Sequence, residues 1–484
     1  QCSFVCPHAT IRAKQIDPKD LKDAPESFIT AASKTKNEKN LEYRVQVYAE
    51  DCVGCGNCVE VCPAKEKALE MIPLEEARRQ GENANEHFFE SLAYGVLDGV
   101  KRETVKGSQF LMPYFEFHGA CAGCGETAYL KLASQLFGDR MIIANATGCS
   151  SIYGGTFPTI PYCKNEYGQG PTWANSLFED NAEYGFGMRL AINSHREQLL
   201  MNIRDIMEMG TTPRLTQALA RSRELWNSVD DEAKNAARAV KDALQEALSK
   251  ANGKAKGILE KIEEFQDYIV DKSVWAIGGD GWAYDIGYGG LDHVLAMNKN
   301  VNILVLDTEV YSNTGGQASK STPTGSVAKF AAAGKRTKKK DLGLMAMTYG
   351  YAYVAAIAMG ANQNQALKAF LEAEAYDGPS LIIAYAPCIA HGFDMRHTQA
   401  EEKMAVESGH WILYRYNPML AKDGKNPLIL DSREPKIDYQ TFLANEIRYR
   451  TLAQQHPDIA EELFARAESE VKERFEYYQR MSQK

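Results

Sequence analysis

The sequence predicts an α/β protein, with a parallel sheet covered by helices on both faces, preceded by a small cysteine-rich α+β module. Apolar strand candidates alternate with helical patterns over about residues 112–420, which is typical of such a sheet. Six of the eleven cysteines lie within residues 1–62, ahead of that pattern. With 44% hydrophobic and 25% charged residues, the 484 residues have the composition and length of roughly two to four globular domains.

Charge and hydropathy exclude two classes of protein. The formal net charge of −9 argues against a nucleic-acid-binding surface, and no apolar run is long enough to cross a membrane. Clustered cysteines that must stay reduced to bind metal indicate a cytoplasmic location, because an oxidising compartment favours disulfides between such close pairs.

Residues 1–73 form the first predicted domain, a turn-rich cysteine module. Near residues 17–44 it is interrupted by a polar stretch that we interpret as a loop insertion. Because so small a module has little core of its own, we expect bound metal to stabilise it. A charged helical connector follows over residues 74–111.

The segment Cys52–Pro63 matches the bacterial iron–sulfur run C-x2-C-x2-C-x3-C-P. Its cysteines are Cys52, Cys55, Cys58 and Cys62. The short spacings let the first three thiolates bind one [4Fe–4S] cluster, while the fourth reaches a second cluster. A zinc ribbon is the alternative, but zinc sites use two separated cysteine pairs.

The segment Gln1–Pro7 has the form of the end of a second such run, with Cys2 and Cys6 in the third and fourth positions. The crossed ligation of two-cluster ferredoxins then predicts one cluster bound by Cys52, Cys55, Cys58 and Cys6. A second cluster is predicted on Cys2, Cys62 and two cysteines outside this sequence. We therefore expect a 2[4Fe–4S] ferredoxin-like domain that is truncated at its N-terminus.

Residues 112–420 form the main predicted domain. Its strand candidates are residues 141–147, 273–279, 301–307 and 380–386. A helical excursion near residues 185–270 includes a charged, Ala-rich hairpin that we expect to face solvent. Residues 421–484 are predicted to be a helical tail.

Two loops follow neighbouring strand candidates of the main domain. Gly278–Trp282 contains the motif Gly-Asp-Gly, and the oxygen-rich loop Asp307–Gly316 follows about one βαβ unit later. Both leave carboxyl ends of parallel strands, where ligands bind, and Asp280 offers a carboxylate for the magnesium of a bound diphosphate. The motif alone is also compatible with a plain Gly-rich turn, but the second loop favours a thiamine diphosphate site.

These motifs together resemble the pyruvate:ferredoxin (flavodoxin) oxidoreductases, over essentially the whole chain. The resemblance implies that Asp280, Thr308 and the backbone oxygen of Val310 bind Mg2+, and that Asn313 lies at the reacting end of thiamine diphosphate as a catalytic residue. Many other thiamine enzymes have adjacent asparagines in this loop. The further cofactor contacts that we expect are Glu126, Cys149, Gly279, Gly281, Trp282, Tyr311 and Ser312.

A Cys-x-x-Cys pair, Cys121 and Cys124, opens the main domain. By itself such a pair is a zinc half-site, a redox pair or part of a cluster site, and Cys149 and Cys388 can complete four ligands. The resemblance implies that these four bind a third [4Fe–4S] cluster, the one nearest to thiamine diphosphate. Cys163 has no counterpart, and we interpret it as a small buried hydrophobic residue.

Other polar residues have weaker assignments. His118, His391 and His397 are candidates to approach a cluster or substrate, although structural hydrogen bonding is the more common role. The basic loop 334–340 is a candidate for steering acidic ferredoxin, with a solvated loop as the alternative.

For the intact protein the resemblance implies oxidative decarboxylation of pyruvate to acetyl-coenzyme A and carbon dioxide. One-electron transfers would run from the thiamine-bound intermediate through three [4Fe–4S] clusters to ferredoxin or flavodoxin. Domains outside this sequence are expected to bind most of pyruvate and coenzyme A and to supply the glutamate that activates thiamine. We therefore expect residues 1–484 alone to be inactive, and the intact enzyme to be a homodimer.

Three alternatives were weighed. A related oxidoreductase acting on oxoglutarate, branched-chain or indole oxoacids stays open, because nothing in the sequence identifies the substrate side chain. The loops that carry Asp280 and Thr308 argue against a pure electron-transfer protein. The cluster cysteines argue against a non-redox thiamine decarboxylase or synthase, which needs no route for electrons.

Overall fold

The computed structural model describes residues 1–33, 40–94, 99–156 and 158–483. The predicted loop insertion near 17–44 and the connector over 74–111 therefore lie partly outside the described residues. Among the described residues, no helix combines the length and the apolar character needed to span a bilayer.

The N-terminal module contains a small antiparallel sheet. Its elements are α1 (Cys2–Val5), β1 (Ile11–Ile16), β2 (Ala31–Ala32), β3 (Glu42–Val47) and α2 (Asn57–Glu60). The strand order is β1-β3-β2, with Ile11 opposite Val47 and Ala31 opposite Tyr43. Because β2 and the start of β3 fall within residues 17–44, that stretch is not a loop throughout.

The module has a small core of its own and a second attachment to the rest of the chain. The local core consists of Ile16, Phe28, Tyr48 and Phe89. Phe4 and Val5 of α1 are instead 1% exposed within the core of the main domain. The buried Lys131 donates hydrogen bonds from Nζ to the carbonyls of Ser3 and Phe4. The large domain therefore holds α1 in place.

The predicted connector contains short helices. They are α3 (Leu74–Arg79), α4 (Glu82–Ser91) and α5 (Val105–Ser108). Gly81, with a φ of 81°, separates α3 from α4, because a glycine adopts this left-handed conformation at little cost. Helix α4 packs on the module through Phe89.

The main domain is built on a mixed sheet, which has eight strands within the described residues. Its elements begin with α6 (Thr127–Phe137), β4 (Met141–Ala146), α7 (Cys149–Gly154), β5 (Thr172–Ser176), α8 (Asn181–Met209), α9 (Pro213–Glu224), α10 (Asp231–Lys250), α11 (Gly253–Phe265), β6 (Ser273–Gly279), α12 (Tyr288–Ala296) and β7 (Asn302–Asp307). They continue with α13 (Leu342–Met347), β8 (Tyr353–Ile357), α14 (Gln363–Ala375), β9 (Ser380–Tyr385), α15 (Thr398–Glu407), β10 (Tyr414–Tyr416), α16 (Met419–Lys422) and β11 (Leu428–Leu430).

The strand order is β11-β10-β8-β9-β7-β6-β4-β5, and the strands from β8 to β5 are parallel. Strands β10 and β11 add an antiparallel edge. The predicted α/β class with a largely parallel sheet is therefore confirmed. The four strand candidates correspond to β4, β6, β7 and β9.

The sheet is buried on both faces, which explains the continuous apolar runs of its central strands. In β7, Ile303 and Val305 face one core, while Leu304 and Leu306 face the other. Each of these side chains is fully buried. The two cores fix the sheet, and therefore the position of the loops at its carboxyl edge.

The helical excursion differs from the exposed hairpin that the sequence suggested. Helices α8 to α11 enclose a core that includes Leu199, Leu219, Val240 and Leu259. The hairpin formed by α10 and α11 therefore buries one face within a layer of helices, while its charged face remains outside.

The tail consists of α17 (Tyr439–Asn445), α18 (Ile447–Gln455) and α19 (Pro457–Ser482). Because β11 also lies beyond residue 420 and pairs with β10, the sheet extends past the predicted start of the helical tail. In α19, Ala467, Val471 and Phe475 pack on the core of the main sheet.

Candidate functional site

The carboxyl ends of β6 and β7 bring the two predicted cofactor loops together. These strands are parallel neighbours, with Gly279 paired to Leu306, so the chain leaves both at the same edge of the sheet. Asp280 follows β6 and is 1% exposed, and Thr308 follows β7 and is also buried. A cavity of about 80 Å3 lies beside them.

Most predicted cofactor contacts line this one cavity. They are Glu126, Cys149, Gly279, Asp280, Gly281, Trp282, Val310, Tyr311, Ser312 and Asn313. Thr308 lies next to it, with a hydrogen bond of 3.1 Å from Oγ1 to Asp280 Oδ1. The structure thus brings together residues that are far apart in the sequence.

Three oxygen atoms at the cavity form a group that fits Mg2+. Thr308 Oγ1 lies 3.1 Å from Asp280 Oδ1 and 3.0 Å from the carbonyl oxygen of Val310. Adjacent ligands of an octahedral Mg2+, bound at 2.0–2.1 Å, are separated by about 3 Å. These two separations therefore match those between adjacent ligands of a magnesium site.

The electrostatic surroundings of Asp280 also favour a cation. Burial raises the pKa of Asp280 well above its usual range, and the nearby Asp307 carboxylate raises it further. Ser319 opposes this shift, donating a hydrogen bond of 2.5 Å to Asp280 Oδ2. A metal ion here would stabilise the ionised carboxylate that burial disfavours.

Glu126 and Cys149 also line the cavity. Burial raises the pKa of Glu126 to about 7, although Tyr153 donates a hydrogen bond of 2.7 Å to its carboxylate. Cys149, the first residue of α7, lies 3.2 Å from Ser312 Oγ. A carboxyl group that titrates near neutral pH is suited to donating or accepting a proton.

The four cysteines predicted to bind the third cluster are neighbours. Burial and Glu126 raise the pKa of the Cys149 thiol to about 12, and Cys388 and Cys121 lie close enough to raise it further. Cys388 and Cys149 act in the same way on Cys124. Bound iron would stabilise the thiolates that this environment disfavours.

Four of the six module cysteines lie around one cavity. Cys6, Cys52, Cys55 and Cys58 line one cavity of about 860 Å3. Burial raises the pKa of the Cys58 thiol to about 12, with Cys6 as the first of several neighbouring thiols that add to the shift. Cys62 is outside this cavity and accepts a hydrogen bond of 3.3 Å from the amide of Ala68.

Within the described parts of the chain, no three His, Cys, Asp or Glu side chains are placed to hold a metal ion. The four thiols of a [4Fe–4S] cluster bind four different iron atoms, so their sulfurs lie farther apart than the ligands of one ion.

The histidines outside these groups have structural partners. His118 contacts the carbonyl of Pro7 and accepts a hydrogen bond of 3.2 Å from the amide of Ala120. His391 Nε2 lies 2.7 Å from the carbonyl oxygen of Thr308, and the exposed His397 lies 3.7 Å from Glu60. The half-buried Cys163 contacts the carbonyl of Pro113 at 3.5 Å.

The basic loop 334–340 is neither a free solvated loop nor a uniform basic surface. Lys335 donates to the carbonyls of Ser319 and Thr322, and Lys339 lies 2.9 Å from both Asp307 and Glu309. These lysines face inwards because the cofactor loops carry buried carbonyls and carboxylates.

Five further cavity residues were not identified from the sequence. They are Thr147, Gly148, Ser150, Phe178 and Thr314. Thr147 and Gly148 directly follow β4, so the argument from strand ends, applied to β4, would have found them. Phe178 follows the unpredicted strand β5, and no sequence signal identified it.

Comparisons with known proteins agree with this geometry. Residues 264–384 match the thiamine pyrophosphate enzyme, C-terminal TPP binding domain family, and residues 45–65 match the 4Fe-4S binding domain family. Among solved structures, a 2-oxoglutarate:ferredoxin oxidoreductase from Magnetococcus marinus aligns with 56% of this chain and 65% of its own chain, at 15% identity. The TM-score of this alignment is 0.30, so the likeness supports no conclusion about this chain.

Relatives match the entire chain. Pyruvate:ferredoxin oxidoreductase from Moorella thermoacetica is 56% identical over 486 residues, covering 100% of this chain and 41% of the relative. Pyruvate-flavodoxin oxidoreductase from Trichormus variabilis is 50% identical over 99% of this chain and 40% of the relative. A probable pyruvate-flavodoxin oxidoreductase from Escherichia coli is 46% identical over 100% of this chain and 40% of the relative.

The chain therefore spans about two fifths of the length of these curated relatives. The resemblance expected from the sequence is confirmed. Over its whole length, the chain is homologous to the part of the pyruvate:ferredoxin and pyruvate-flavodoxin oxidoreductases that contains a 4Fe-4S binding domain and the thiamine pyrophosphate-binding domain.

Proposed function

We propose that the intact protein oxidises pyruvate. In this reaction pyruvate, coenzyme A and two oxidised ferredoxins give acetyl-coenzyme A, carbon dioxide, a proton and two reduced ferredoxins. Flavodoxin is the alternative electron acceptor. The names of the relatives support pyruvate and these carriers, and the release of two electrons to one-electron carriers accounts for the cysteine groups.

One observation carries the proposal, namely that Asp280 and Val310 line the same cavity as Cys149, with the Thr308 hydroxyl hydrogen-bonded to both oxygens beside it. Cys149 in turn neighbours the other thiols of the proposed third cluster site. A site that anchors a diphosphate and also provides an exit for electrons suits an oxidative decarboxylase. A non-redox thiamine enzyme has no use for an exit for electrons.

We assign the residues as follows. Bound thiamine diphosphate would supply the electron sink that allows a 2-oxoacid to lose carbon dioxide. Asp280, Thr308 and the Val310 carbonyl hold the magnesium, and Asn313 contacts the reacting end of the cofactor. Trp282 and Tyr311 line the cavity and exclude water, with Trp282 2% exposed.

The iron sites are assigned to the two groups of cysteines. Cys121, Cys124, Cys149 and Cys388 bind the cluster beside the cavity. Cys6, Cys52, Cys55 and Cys58 bind one cluster of the ferredoxin-like domain, and Cys2 and Cys62 bind its other cluster together with cysteines outside this sequence. We assign residues 1–73 to the ferredoxin-like domain, 74–111 to the connector, 112–420 to the cofactor domain and 421–484 to the tail.

Several properties belong to the intact protein. The cavity in this chain is well below the 300–1,000 Å3 of a typical complete ligand pocket, which is consistent with other residues enclosing the rest of thiamine diphosphate. We propose that these other residues also bind pyruvate and coenzyme A, that the enzyme is a cytoplasmic homodimer, and that residues 1–484 alone are inactive.

A substrate panel tests this function. Intact protein should reduce ferredoxin or flavodoxin with pyruvate and coenzyme A, and should prefer pyruvate over 2-oxoglutarate, branched-chain oxoacids and indolepyruvate. The variant Asp280→Asn should lose thiamine diphosphate but keep its iron content, because Asp280 belongs to the magnesium group alone. Preference for another oxoacid, or full activity of Asp280→Asn, would contradict the assignment.

A further inference from the structure

Glu309 occupies an unusual position in the proposed magnesium loop. It stands between Thr308, whose hydroxyl contacts Asp280, and Val310, whose carbonyl oxygen contacts the same hydroxyl. Its backbone has a φ of 59°, in the left-handed region that a non-glycine residue rarely adopts without compensation. Its side chain is fully buried and does not line the cavity.

Three basic groups surround the Glu309 carboxylate. Lys339 Nζ lies 2.9 Å from Oε1, His410 Nε2 lies 3.1 Å from the same oxygen, and Arg448 Nη2 lies 2.7 Å from Oε2. Burial alone would raise the pKa of Glu309, but these neighbours hold it well below its usual range. The buried carboxylate is therefore ionised and fully engaged.

Arg448 links this carboxylate to the other side of the loop. Its Nε donates to Glu446 at 2.7 Å, and Glu446 lies 3.2 Å from His391 Nδ1. The other nitrogen of His391 contacts the Thr308 carbonyl oxygen at 2.7 Å. Contacts that start at Arg448 thus reach the loop twice, at Thr308 and at Glu309.

Resting on the function proposed above, we propose that Glu309 and Arg448 are positioning residues of the magnesium site. They hold the loop so that the Thr308 hydroxyl lies 3.1 Å from Asp280 Oδ1 and 3.0 Å from the Val310 carbonyl oxygen, about the spacing that octahedral Mg2+ requires. Arg448 belongs to α18, in the C-terminal tail to which the sequence assigned no chemistry. The tail therefore contributes to metal selectivity without touching the cofactor.

Selectivity distinguishes this role from general stabilisation. Mg2+ demands near-ideal octahedral geometry, whereas Ca2+ accepts longer and more variable distances. A loosened loop should lose affinity for Mg2+ more than for Ca2+. A loss of folding stability alone would leave the ratio of the two affinities unchanged.

The chain offers a matched control in Arg415. It is 5% exposed and, like Arg448, pairs with two carboxylates, those of Glu372 and Asp431. It lies on β10, towards the edge of the sheet away from β6 and β7. Arg448→Met leaves the buried carboxylates of Glu309 and Glu446 without this partner, and Arg415→Met does the same to the partly buried carboxylates of Glu372 and Asp431, so both variants should melt at lower temperature.

The experiment uses intact protein from which thiamine diphosphate and metal have been removed. Bound thiamine diphosphate is measured by equilibrium dialysis at increasing Mg2+ or Ca2+. We expect Arg448→Met to need at least about tenfold more Mg2+ than the wild type to bind thiamine diphosphate, as is typical when a residue that supports a metal ligand is lost. The change in the Ca2+ requirement should be smaller. Arg415→Met should match the wild type with both ions, and Arg448→Lys should recover part of the Mg2+ affinity.

Each result decides between the two proposals. If the wild type binds no thiamine diphosphate with either ion, the proposed function fails and the positioning role with it. If the wild type binds but Arg448→Met keeps its Mg2+ to Ca2+ ratio, or Arg415→Met changes that ratio equally, only the positioning role is wrong. Should Arg448→Met not accumulate as folded protein, the comparison of Arg448→Lys with Arg415→Lys replaces it, with the same expected shift in the ratio.

Discussion

Glu402 predicts a specific dependence of stability on pH. This residue of α15 is fully buried, and its Oε2 accepts hydrogen bonds from the Tyr129 hydroxyl at 2.9 Å and the Gly360 amide at 2.8 Å. Burial nevertheless raises the pKa of Glu402 from 4.5 to about 8. The folded protein therefore holds a proton on this group that the unfolded chain releases.

The direction of the effect follows from proton linkage. Below pH 4.5 both states are protonated, and the group has no influence. Between the two pKa values the free energy of unfolding falls by about 1.4 kcal/mol per pH unit, because only the folded state keeps the proton. Above about pH 8 the group is ionised in both states, and the free energy of unfolding stays about 5 kcal/mol lower than below pH 4.5.

The variant Glu402→Gln removes this titration and keeps the shape of the side chain. The two short hydrogen bonds are accepted by a single oxygen, so the glutamine amide oxygen can retain them, and only the 3.4 Å hydrogen bond from Gln399 Nε2 to Oε1 is lost. Calorimetric melting of both proteins at constant scan rate, from about pH 5 to about pH 8, should show similar Tm values at the acidic end. The variant should melt at increasingly higher temperature than the wild type as the pH rises.

The control Glu434→Gln removes an exposed carboxyl group and should follow the wild type throughout. Parallel melting curves for Glu402→Gln and the wild type would refute the reasoning. They would show that the hydrogen bonds compensate for burial and that Glu402 is ionised in the folded protein at neutral pH.

Three further predictions concern the sites. Lys131→Met should lower Tm, since the carbonyls of Ser3 and Phe4 lose their buried donor, at a cost of about 1–3 kcal/mol each. Lys131→Arg is the control, and an unchanged Tm for Lys131→Met would contradict the prediction. Gly281→Ala places a Cβ 2.4 Å from the ring of Tyr311, so we expect a cost of about 1–3 kcal/mol and reduced thiamine diphosphate content by the thiochrome assay. Gly289→Ala, which meets no atom within 4 Å, should retain the cofactor. Chelation of Mg2+ should release thiamine diphosphate and leave iron and sulfide contents unchanged, and release of both together would show that the sites are not separate.

The sequence was most informative where chemistry depends on short spacings. The run Cys52–Pro63 and the loop containing Asp280 predict ligands by residue type and local order, and neither prediction needs knowledge of the fold. Strands such as β7 were also predictable, because burial on both faces requires an unbroken apolar run. Strand β5 was missed, since its edge position leaves polar side chains that resemble a loop.

Long-range contacts could not be predicted in the same way. Ser319 hydrogen-bonds Asp280 across 39 positions of the chain, and Arg448 reaches Glu309 across 139. Local patterns of hydrophobicity contain no information on such pairs, because their meeting depends on how the tail packs against the sheet. The inward-facing lysines of loop 334–340 illustrate the same limit, since their charge alone suggested solvent or a partner protein.

The anchoring of α1 has a consequence for how iron is installed. Phe4 and Val5 are part of the large domain's interior, so folding of that domain is sufficient to seat the helix that ends just before Cys6. Cys52, Cys55 and Cys58 line the same 860 Å3 cavity as Cys6, on a segment that contributes no residue to the module's local core. In the proposed cluster site, iron binding would thus begin at the fixed thiol of Cys6. The other three thiols would bind later, because their segment becomes ordered only as the iron–sulfur cluster is completed.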